Sequence, residues 1–559
     1  MVKGLQYPPV DGSLLHTDIL EFNATNNPDA TFFIFPDGSG GLCKVSHLEF
    51  YRASHRAAHL VRGRFKEGQV VAVIARIDTV LQHALTMGMI IAGVIPQMIS
   101  YRLSADAVAH LMRATSCGGL IRSRHDLHDL TAGVEAQFSS EGALETMEVP
   151  SFTEVYPKLG HETASDAFER FDAPAKRSAL QDITLYLHTS GSTGYPKPVR
   201  HTHQMGLNWC NQAPVADFRA SEKKINLGTM ALPAFHVSGL YNQLYVPLAA
   251  LTPACVFAPT SAKDPKALPT APDAQNVLES IQSTSADALI IYPSILEQWA
   301  SSEKALEVLK SLSYIGFIGS ALSPKSGEIL LKAGVRFTGV YAATELGALT
   351  ASILDESDWE HWQYVRFVDP YGIRWVQKSK NLYECQVLST DKLQVAVENL
   401  DDVPGYASGD LFEKHPTVEG LWKYAGRAKN LFLLSEREGV IIEPVELAIV
   451  GNRYVKAAKV FQSGRRFGLL VEPSVEWYSS NPDESDPSRF VDAIWPDVQL
   501  GNQHIPLPAV ITQDVIIVTS KTKPLQLSAK GTVMDSSLKA YDTEIAQLGL
   551  FTVPSVGST

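Results

Sequence analysis

The sequence predicts an α/β protein in which sheets are covered by helices. Short apolar runs of strand length recur along it, and helix-compatible segments separate them. Its 559 residues, 45% of them apolar, can bury a large core, and the length is that of several domains or of one large domain with a small companion. Alternation of this kind implies sheets with helices packed on their faces.

Taken in order, Thr31 to Phe35 and Val70 to Ala75 read as strands, with a helix from Ser46 to Arg62 between them. The most apolar run, Ala84 to Ile99, contains Gly88, Gly93 and Pro96 and falls short of the roughly 20 residues a membrane span needs. It reads as a buried helix passing into a strand. Gly119 to Ile121, Ile183 to Leu187, Ala288 to Tyr292, Tyr314 to Ile318 and Val335 to Gly339 continue the strand series. Thr260 to Asn276 and Ser479 to Arg489 are polar and Pro-containing, and read as surface insertions. The small, polar tail from Phe551 to Thr559 is expected to fray, and no internal repeat is visible.

Composition narrows the function classes. A net charge of −12 argues against a general affinity for nucleic acid or an anionic membrane. Cys43, Cys117, Cys210, Cys255 and Cys385 are scattered without a C-x-x-C pair, which suits a reducing, cytoplasmic setting and argues against a zinc or disulfide framework. The opening MVKGLQYPPVDGSLL has no long apolar core, so secretion is not expected.

Residues 186–200, YLHTSGSTGYPKPVR, carry the strongest chemical signal. A strand runs into Thr189, Ser190, Gly191, Ser192, Thr193 and Gly194, none large enough to shield the backbone, and Lys197 follows with a compact positive charge. Glycines let backbone N–H groups converge on phosphate oxygens and the hydroxyls add donors, so the run is built to bind an anion. No GxxxxGK[ST] occurs, so it is not a Walker A loop. A single Ser/Thr/Gly hexapeptide is by default an ordinary turn.

Four further stretches change that default: residues 231–239 (ALPAFHVSG), 339–345 (GVYAATE) with Gly319, Ser320 and Ala321 upstream, 406–410 (YASGD) with 426–430 (GRAKN), and 523–532 (KPLQLSAKGT). Alone, each has a plain structural explanation, since a histidine in an apolar stretch usually packs in a core and a C-terminal lysine is usually solvated. Together they resemble the adenylate-forming superfamily, which comprises acyl- and aryl-CoA synthetases, nonribosomal peptide synthetase adenylation domains and luciferases. The resemblance covers nearly the whole chain.

That resemblance implies an adenylate-forming enzyme fold, with a large core over residues 1–428 and a small α+β lid over 429–559. It implies ATP and Mg²⁺ as cofactors. Tyr341 would stack on adenine opposite Gly319, Ser320 and Ala321, Thr344 would contact the α-phosphate region, and Glu345 would help hold the metal. Asp410 would accept both ribose hydroxyls with Arg427 nearby, and Lys429 would sit at the hinge. The family closes its terminal domain over the site and inserts one lysine between the carboxylate and the α-phosphate. Lys530 is the candidate, with Lys521 and Lys523 still open because Lys530-Gly531 reverses the commoner order. Ala342 replaces the usual Gly, and would be strained if that position needs positive φ.

His236 narrows the substrate. Amino-acid-activating relatives place Asp there to pair with the α-ammonium, whereas those acting on simple acids place His, so a free α-amino group is disfavoured. Carry-over puts His236, Val237, Leu240, Gly316, Ile318, Val340, Ala348 and Leu349 around the acyl side chain. This apolar lining favours a flat or apolar acid, with Gly316 leaving room for a ring.

The segment GDLFEKHPTVEGLWKYAGR, with HTSGSTGYPKPV and KGTV, resembles fungal synthetase-like carboxylic acid reductases. In those an adenylation domain precedes carrier and reductase domains, implying transfer of the acyl group to phosphopantetheine and, where a reductase domain is present, reduction with NADPH. No carrier-type Asp-Ser-Leu and no later nucleotide-binding unit is seen, so the chain is expected to be an excised piece or a stand-alone relative, with carrier and reductase domains in cis or in trans. The alternatives are a stand-alone aryl- or acyl-CoA ligase, a betaine-type acid as substrate, and a non-catalytic nucleotide-binding protein.

Overall fold

Helix α1 (His16–Asn26) leads into strand β1 (Thr31–Pro36), where Thr-Phe-Phe-Ile-Phe is buried on both faces and the run ends at a proline. β1 pairs antiparallel with β2 (Leu42–Ser46), and Ser46 caps α2 (His47–Arg62) by accepting the Glu49 N–H on its hydroxyl. β3 (Val70–Ile74), α3 (Thr79–Ile91) and β4 (Ile95–Met98) follow, so the most apolar run is the buried helix and strand expected. Gly88 lets α3 lie close against α2, because a Cβ there would meet Ala57 Cβ at 2.6 Å and Ser54 O at 2.7 Å.

β5 (Gly119–Arg122), β6 (Glu145–Glu148), β7 (Ile183–His188) and β8 (Pro198–Thr202) complete a six-stranded sheet of order β6-β5-β3-β4-β7-β8, parallel except for the last pair. β9 (Leu227–Gly228), β10 (Ala254–Cys255), β11 (Ala288–Ile291), β12 (Tyr314–Phe317) and β13 (Phe337–Gly339) join β1 and β2 in a seven-stranded sheet of order β13-β12-β11-β9-β10-β1-β2, antiparallel only at β2.

The computed structural model describes residues 4–549 apart from 141, 173–177, 190–194, 351–355, 369–370, 434–438, 464–465, 482–486, 504, 506–508 and 528–532. It divides into two units: Met1–Thr189, Pro196–Ile373 and Val387–Tyr406 form one, and Ser190–Tyr195, Arg374–Gln386 and Ala407–Thr559 the other. The second carries, from Ala407 onward, the strand Gly405–Lys414 and its antiparallel partner Leu421–Arg427. It ends in a small α+β domain, in which strands Val455–Ser463, Arg466–Pro473 and Ile516–Val518 pack with helices Glu443–Val450 and Pro487–Asn502 around Val445, Leu469, Phe490 and Ile494.

Two expected loops are partly helical. Asp273 and Asn276 cap each other reciprocally, so a helix starts at Ala274 inside the segment read as an insertion. Residues 479–480 finish the helix Val475–Ser480, and 487–489 open the long helix Pro487–Asn502. The tail 551–559 lies outside the described residues. Among the described residues no cysteine is paired, and no helix is long and apolar enough to cross a membrane.

Candidate active site

β7 and β8 form a hairpin whose neck is closed by Thr189. Its N–H donates to Lys197 O at 3.1 Å, and its hydroxyl accepts the Lys197 N–H at 3.4 Å. The loop is thus delivered by two strands, with Lys197 exposed at its exit. Ser190, Gly191, Ser192, Thr193 and Gly194 lie outside the described residues. His188 steadies the neck, a role the sequence reading missed. Its Nε2 accepts the Ser100 N–H at 3.1 Å, which puts the ring proton on Nδ1, 3.0 Å from Thr189 O. Burial lowers its pKa and keeps it neutral.

Tyr341 introduces a tight hairpin of β14 (Ala342–Ala343) and β15 (Gly347–Ala348), with Thr344 and Glu345 in the turn. The Tyr341 N–H donates to Thr350 Oγ1 at 3.0 Å and its ring lies 5.5 Å from that of Phe367. Glu345 Oε1 accepts the Tyr406 hydroxyl at 3.2 Å. Gln212, also missed from sequence, clamps the hairpin: its Nε2 donates to Leu346 O at 2.8 Å and its Oε1 accepts the Ala348 N–H at 2.7 Å. His201 lies beneath the turn, edge-on to Trp209. Burial drives its pKa down to about 3, partly offset by a hydrogen bond to the Thr344 backbone. Ala342 is unstrained, because the only non-glycine residues with positive φ among those described are Ser116, Leu251 and Ser285. The left-handed position is Gly347, at φ +76°.

His236 caps the short helix Val237–Leu240, which continues into a π-helical turn at Tyr241–Tyr245. Its Nδ1 lies 3.3 Å from the Ser238 N–H nitrogen and 3.0 Å from Ser238 Oγ, which in turn is 2.8 Å from the Tyr292 hydroxyl. Leu240, Ile318 and Ala348 belong to the principal hydrophobic core, with Val237 and Val340 packed against it, and Leu349 is fully buried. Gly316 lies in β12 between Tyr314 and Ile318. The room it leaves is taken by the chain's own Tyr314 hydroxyl and Ile290, which a Cβ there would strike. The Tyr241 hydroxyl interrupts this apolar surround: it is buried without a hydrogen-bond partner among the described residues, and burial raises its pKa well above the ordinary value. Gly319, Ser320 and Ala321 follow β12, Gly319 and Ser320 exposed and Gly319 at φ +89° against the Tyr292 ring.

In the second unit, Asp410 and Arg427 are register partners across antiparallel strands, with Arg427 Nε 2.7 Å from Asp410 Oδ1. Asp410 is buried and Arg427 half exposed. Ser408 keeps the strand in register, its hydroxyl donating to Cys385 O at 2.7 Å and accepting the Asp410 N–H at 3.0 Å. Lys429 is exposed in the turn Ala428–Asn430. Lys530 lies outside the described residues, in the segment 528–532 flanked by the bridge between Leu527 and Val533. Of the other lysines, Lys523 pairs with Glu544 at 2.6 Å and covers the Tyr541 ring at 3.9 Å, while Lys521 lies over Tyr478 at 4.2 Å.

Among the described residues no group of three or more His, Cys, Asp or Glu side chains could hold a metal alone. A single carboxylate such as Glu345 suits Mg²⁺, which takes one or two protein carboxylates and completes its shell with substrate phosphates and water.

Comparison with known proteins identifies the family and the fold. The family model for AMP-binding enzymes matches residues 20–370, and the one for the AMP-binding enzyme C-terminal domain matches 430–548. Adenylate-forming reductase Nps11 of Serpula lacrymans is 42% identical over 97% of this chain and 50% of its own length. A carboxylic acid reductase of Neurospora crassa is 27% identical over 97% of this chain and 51% of its own. The chain therefore spans about half the length of the curated relatives it matches. Among solved structures, o-succinylbenzoate CoA synthetase of Bacillus subtilis, in complex with its acyl-adenylate intermediate, superposes with a TM-score of 0.69 at 16% identity, covering 96% of this chain and 99% of that one. The same enzyme is also known in complex with ATP and magnesium ion. At that identity the likeness establishes the fold. The chain belongs to the AMP-binding enzyme family, as one of its adenylate-forming members.

Proposed function

We propose that this chain activates a carboxylic acid lacking an α-amino group. A carboxylate oxygen attacks the α-phosphorus of ATP, the bond to the β-phosphate breaks, and acyl-AMP and pyrophosphate result. The observation that carries this reading is His236 capping a short helix beside an uncharged surround of Val237, Leu240, Ile318, Val340 and Ala348. No carboxylate among these residues could pair with a substrate ammonium, and a desolvated ammonium without a partner is costly to bury. The space at Gly316 is already filled by Tyr314, which supports a compact aryl or apolar acid over a long one.

The remaining roles are those that the family resemblance implies, and the chemistry of each group suits its role. The loop from Thr189 to Gly194, with Lys197, receives phosphate oxygens; Tyr341 and the Gly319 turn hold adenine, and Asp410 and Arg427 hold the ribose. Thr344 contacts the α-phosphate. Glu345 would hold Mg²⁺ together with phosphate oxygens, and the ion's charge would offset that of the triphosphate. Lys530 neutralises charge developing between carboxylate and α-phosphate. The two other candidates, Lys521 and Lys523, already have partners within their own unit, which supports that choice. The steps are driven by positioning and charge stabilisation, with no covalent enzyme intermediate.

The division into a core at 1–428 and a lid at 429–559, hinged near Lys429, belongs to the same proposal. So do cytoplasmic residence and transfer of the acyl group to a carrier phosphopantetheine for reduction by NADPH; the relatives' names, which say reductase, support the reduction alone. ATP–pyrophosphate exchange against aryl, short aliphatic, betaine-type and α-amino acids tests the reading. Exchange with aryl or apolar acids is expected, and exchange confined to α-amino acids contradicts it. CoA-dependent release of AMP with a thioester product would identify a CoA ligase instead.

A further inference from the structure

We propose that Ser238 and Tyr292 are positioning residues that fix His236 as an Nε2–H donor, giving the imidazole one preset hydrogen-bonding polarity towards the acid. The inference rests on the acid-adenylating reading above. It starts from the Ser238 backbone N–H, whose nitrogen is 3.3 Å from His236 Nδ1. An N–H can only donate, so Nδ1 presents its lone pair and the proton of the neutral ring sits on Nε2.

The Ser238 hydroxyl oxygen is 3.0 Å from the same nitrogen and 2.8 Å from the Tyr292 hydroxyl. Were its hydrogen turned towards Tyr292, two lone pairs would face each other at Nδ1. The hydrogen therefore points at Nδ1, and Tyr292 must donate to Ser238. The result is a directional chain from Tyr292 O–H to Ser238 Oγ, and from Ser238 O–H to His236 Nδ1. Ser238 is 8% exposed, so water competes poorly for these bonds.

Tyr292 is itself well anchored. It occupies the N-cap position of the helix Pro293–Trp299, and its ring packs against Gly319, where a Cβ would stand 3.2 Å away. One tyrosine thus braces both the His236 turn and the Gly319 turn. An Nε2–H donor can serve a carboxylate oxygen but cannot accept from an ammonium group, so the chain reinforces discrimination against α-amino acids.

Two measurements test this. In the full chain with ¹⁵N-labelled histidine, the His236 signals, identified by their loss in His236→Asn, should report the Nε2–H tautomer without any acid present. A dominant Nδ1–H tautomer would overturn the proposal. In pyrophosphate exchange with benzoic acid, Ser238→Ala and Tyr292→Phe should each lower kcat/KM for the acid about fivefold, the worth of one neutral hydrogen bond. KM for ATP should stay unchanged, the double variant should be no worse than either single one, and Ser238→Thr should retain activity. Additive losses, or losses that follow a falling Tm and raise KM for ATP equally, would make the two residues merely structural and overturn it. If the wild-type chain exchanges with no acid, the functional reading fails, while the tautomer result still decides the hydrogen-bonded chain.

Discussion

Asp410 and Arg427 face each other across two antiparallel strands, with the guanidinium Nε 2.7 Å from the carboxylate. The two are unequal partners, since Asp410 is buried while Arg427 is half exposed and remains hydrated. Removing the carboxylate should therefore cost nucleotide binding more than folding. Asp410→Asn is expected to raise KM for ATP by about tenfold or more, the scale of losing a charge-assisted hydrogen bond, while Tm moves little. Steady-state kinetics beside calorimetry check this; a collapse in Tm with unchanged KM for ATP would refute the ribose role.

Gln212, at the start of the helix Ala213–Ala220, bonds the end of the Thr344 turn at Leu346 and strand β15 at Ala348, more than 130 positions away in the sequence. Gln212→Ala leaves the Leu346 carbonyl and the Ala348 N–H buried without their partner, at a cost of about 1–3 kcal/mol for each group. Exchange activity should fall at temperatures where the chain is still folded by far-UV circular dichroism, because the turn carrying Thr344 and Glu345 loosens first. Full activity in this variant would show that the clamp has no bearing on the site.

Among the described residues the Tyr241 hydroxyl makes no hydrogen bond that its removal would break, so Tyr241→Phe should leave stability unchanged or raise it slightly. A loss of more than about 2 kcal/mol in chemical unfolding would mean that the hydroxyl has a partner, such as an ordered water.

Burial drives His16, His47 and His201 down to about 3 and His83 and His203 down to about 4. The unfolded chain takes up protons at these rings near pH 6.5, whereas the folded chain does so only well below that. The unfolded state therefore binds more protons in this window, so stability is fully present above about pH 6.5 and is lost as pH falls towards 4. Glu49, raised to about 7 by burial, and Glu297, also raised by burial, act in the opposite sense but are fewer than the histidines. Tm should be markedly lower at pH 5 than at pH 7.5, with net proton uptake on unfolding. A flat or rising profile on acidification would contradict the burial of these histidines as neutral rings.

Much of the fold was legible because apolar β-branched runs mark buried strands. β1, β3, β5, β7, β11 and β12 all lie where such runs predicted them. Among the strands that escaped notice, Leu42–Ser46, Glu145–Glu148 and Pro198–Thr202 are short edge segments whose composition carries little strand preference, and pairing with a neighbour makes them strands. The candidate residues His236, Thr344, Glu345, Asp410 and Arg427 could be read because each lies within a contiguous motif. Their supports could not, because each reaches across the sequence: Gln212 to Leu346 over 134 positions, Ser100 to His188 over 88, and Ser238 to Tyr292 over 54. The room expected beside Gly316 was misjudged for the same kind of reason. A glycine shows that space exists, and only packing shows that Tyr314 fills it.

The most direct measurement is ATP–pyrophosphate exchange with an aryl acid in the wild-type chain and in Lys530→Ala, with ATP binding followed separately. Exchange that falls by about a thousandfold in the variant, with ATP still bound, is the expected outcome for loss of a lysine that stabilises charge at the reacting centre. Wild-type exchange rates in Lys530→Ala, or bound ATP with no exchange by the wild-type chain across the whole acid panel, would contradict it.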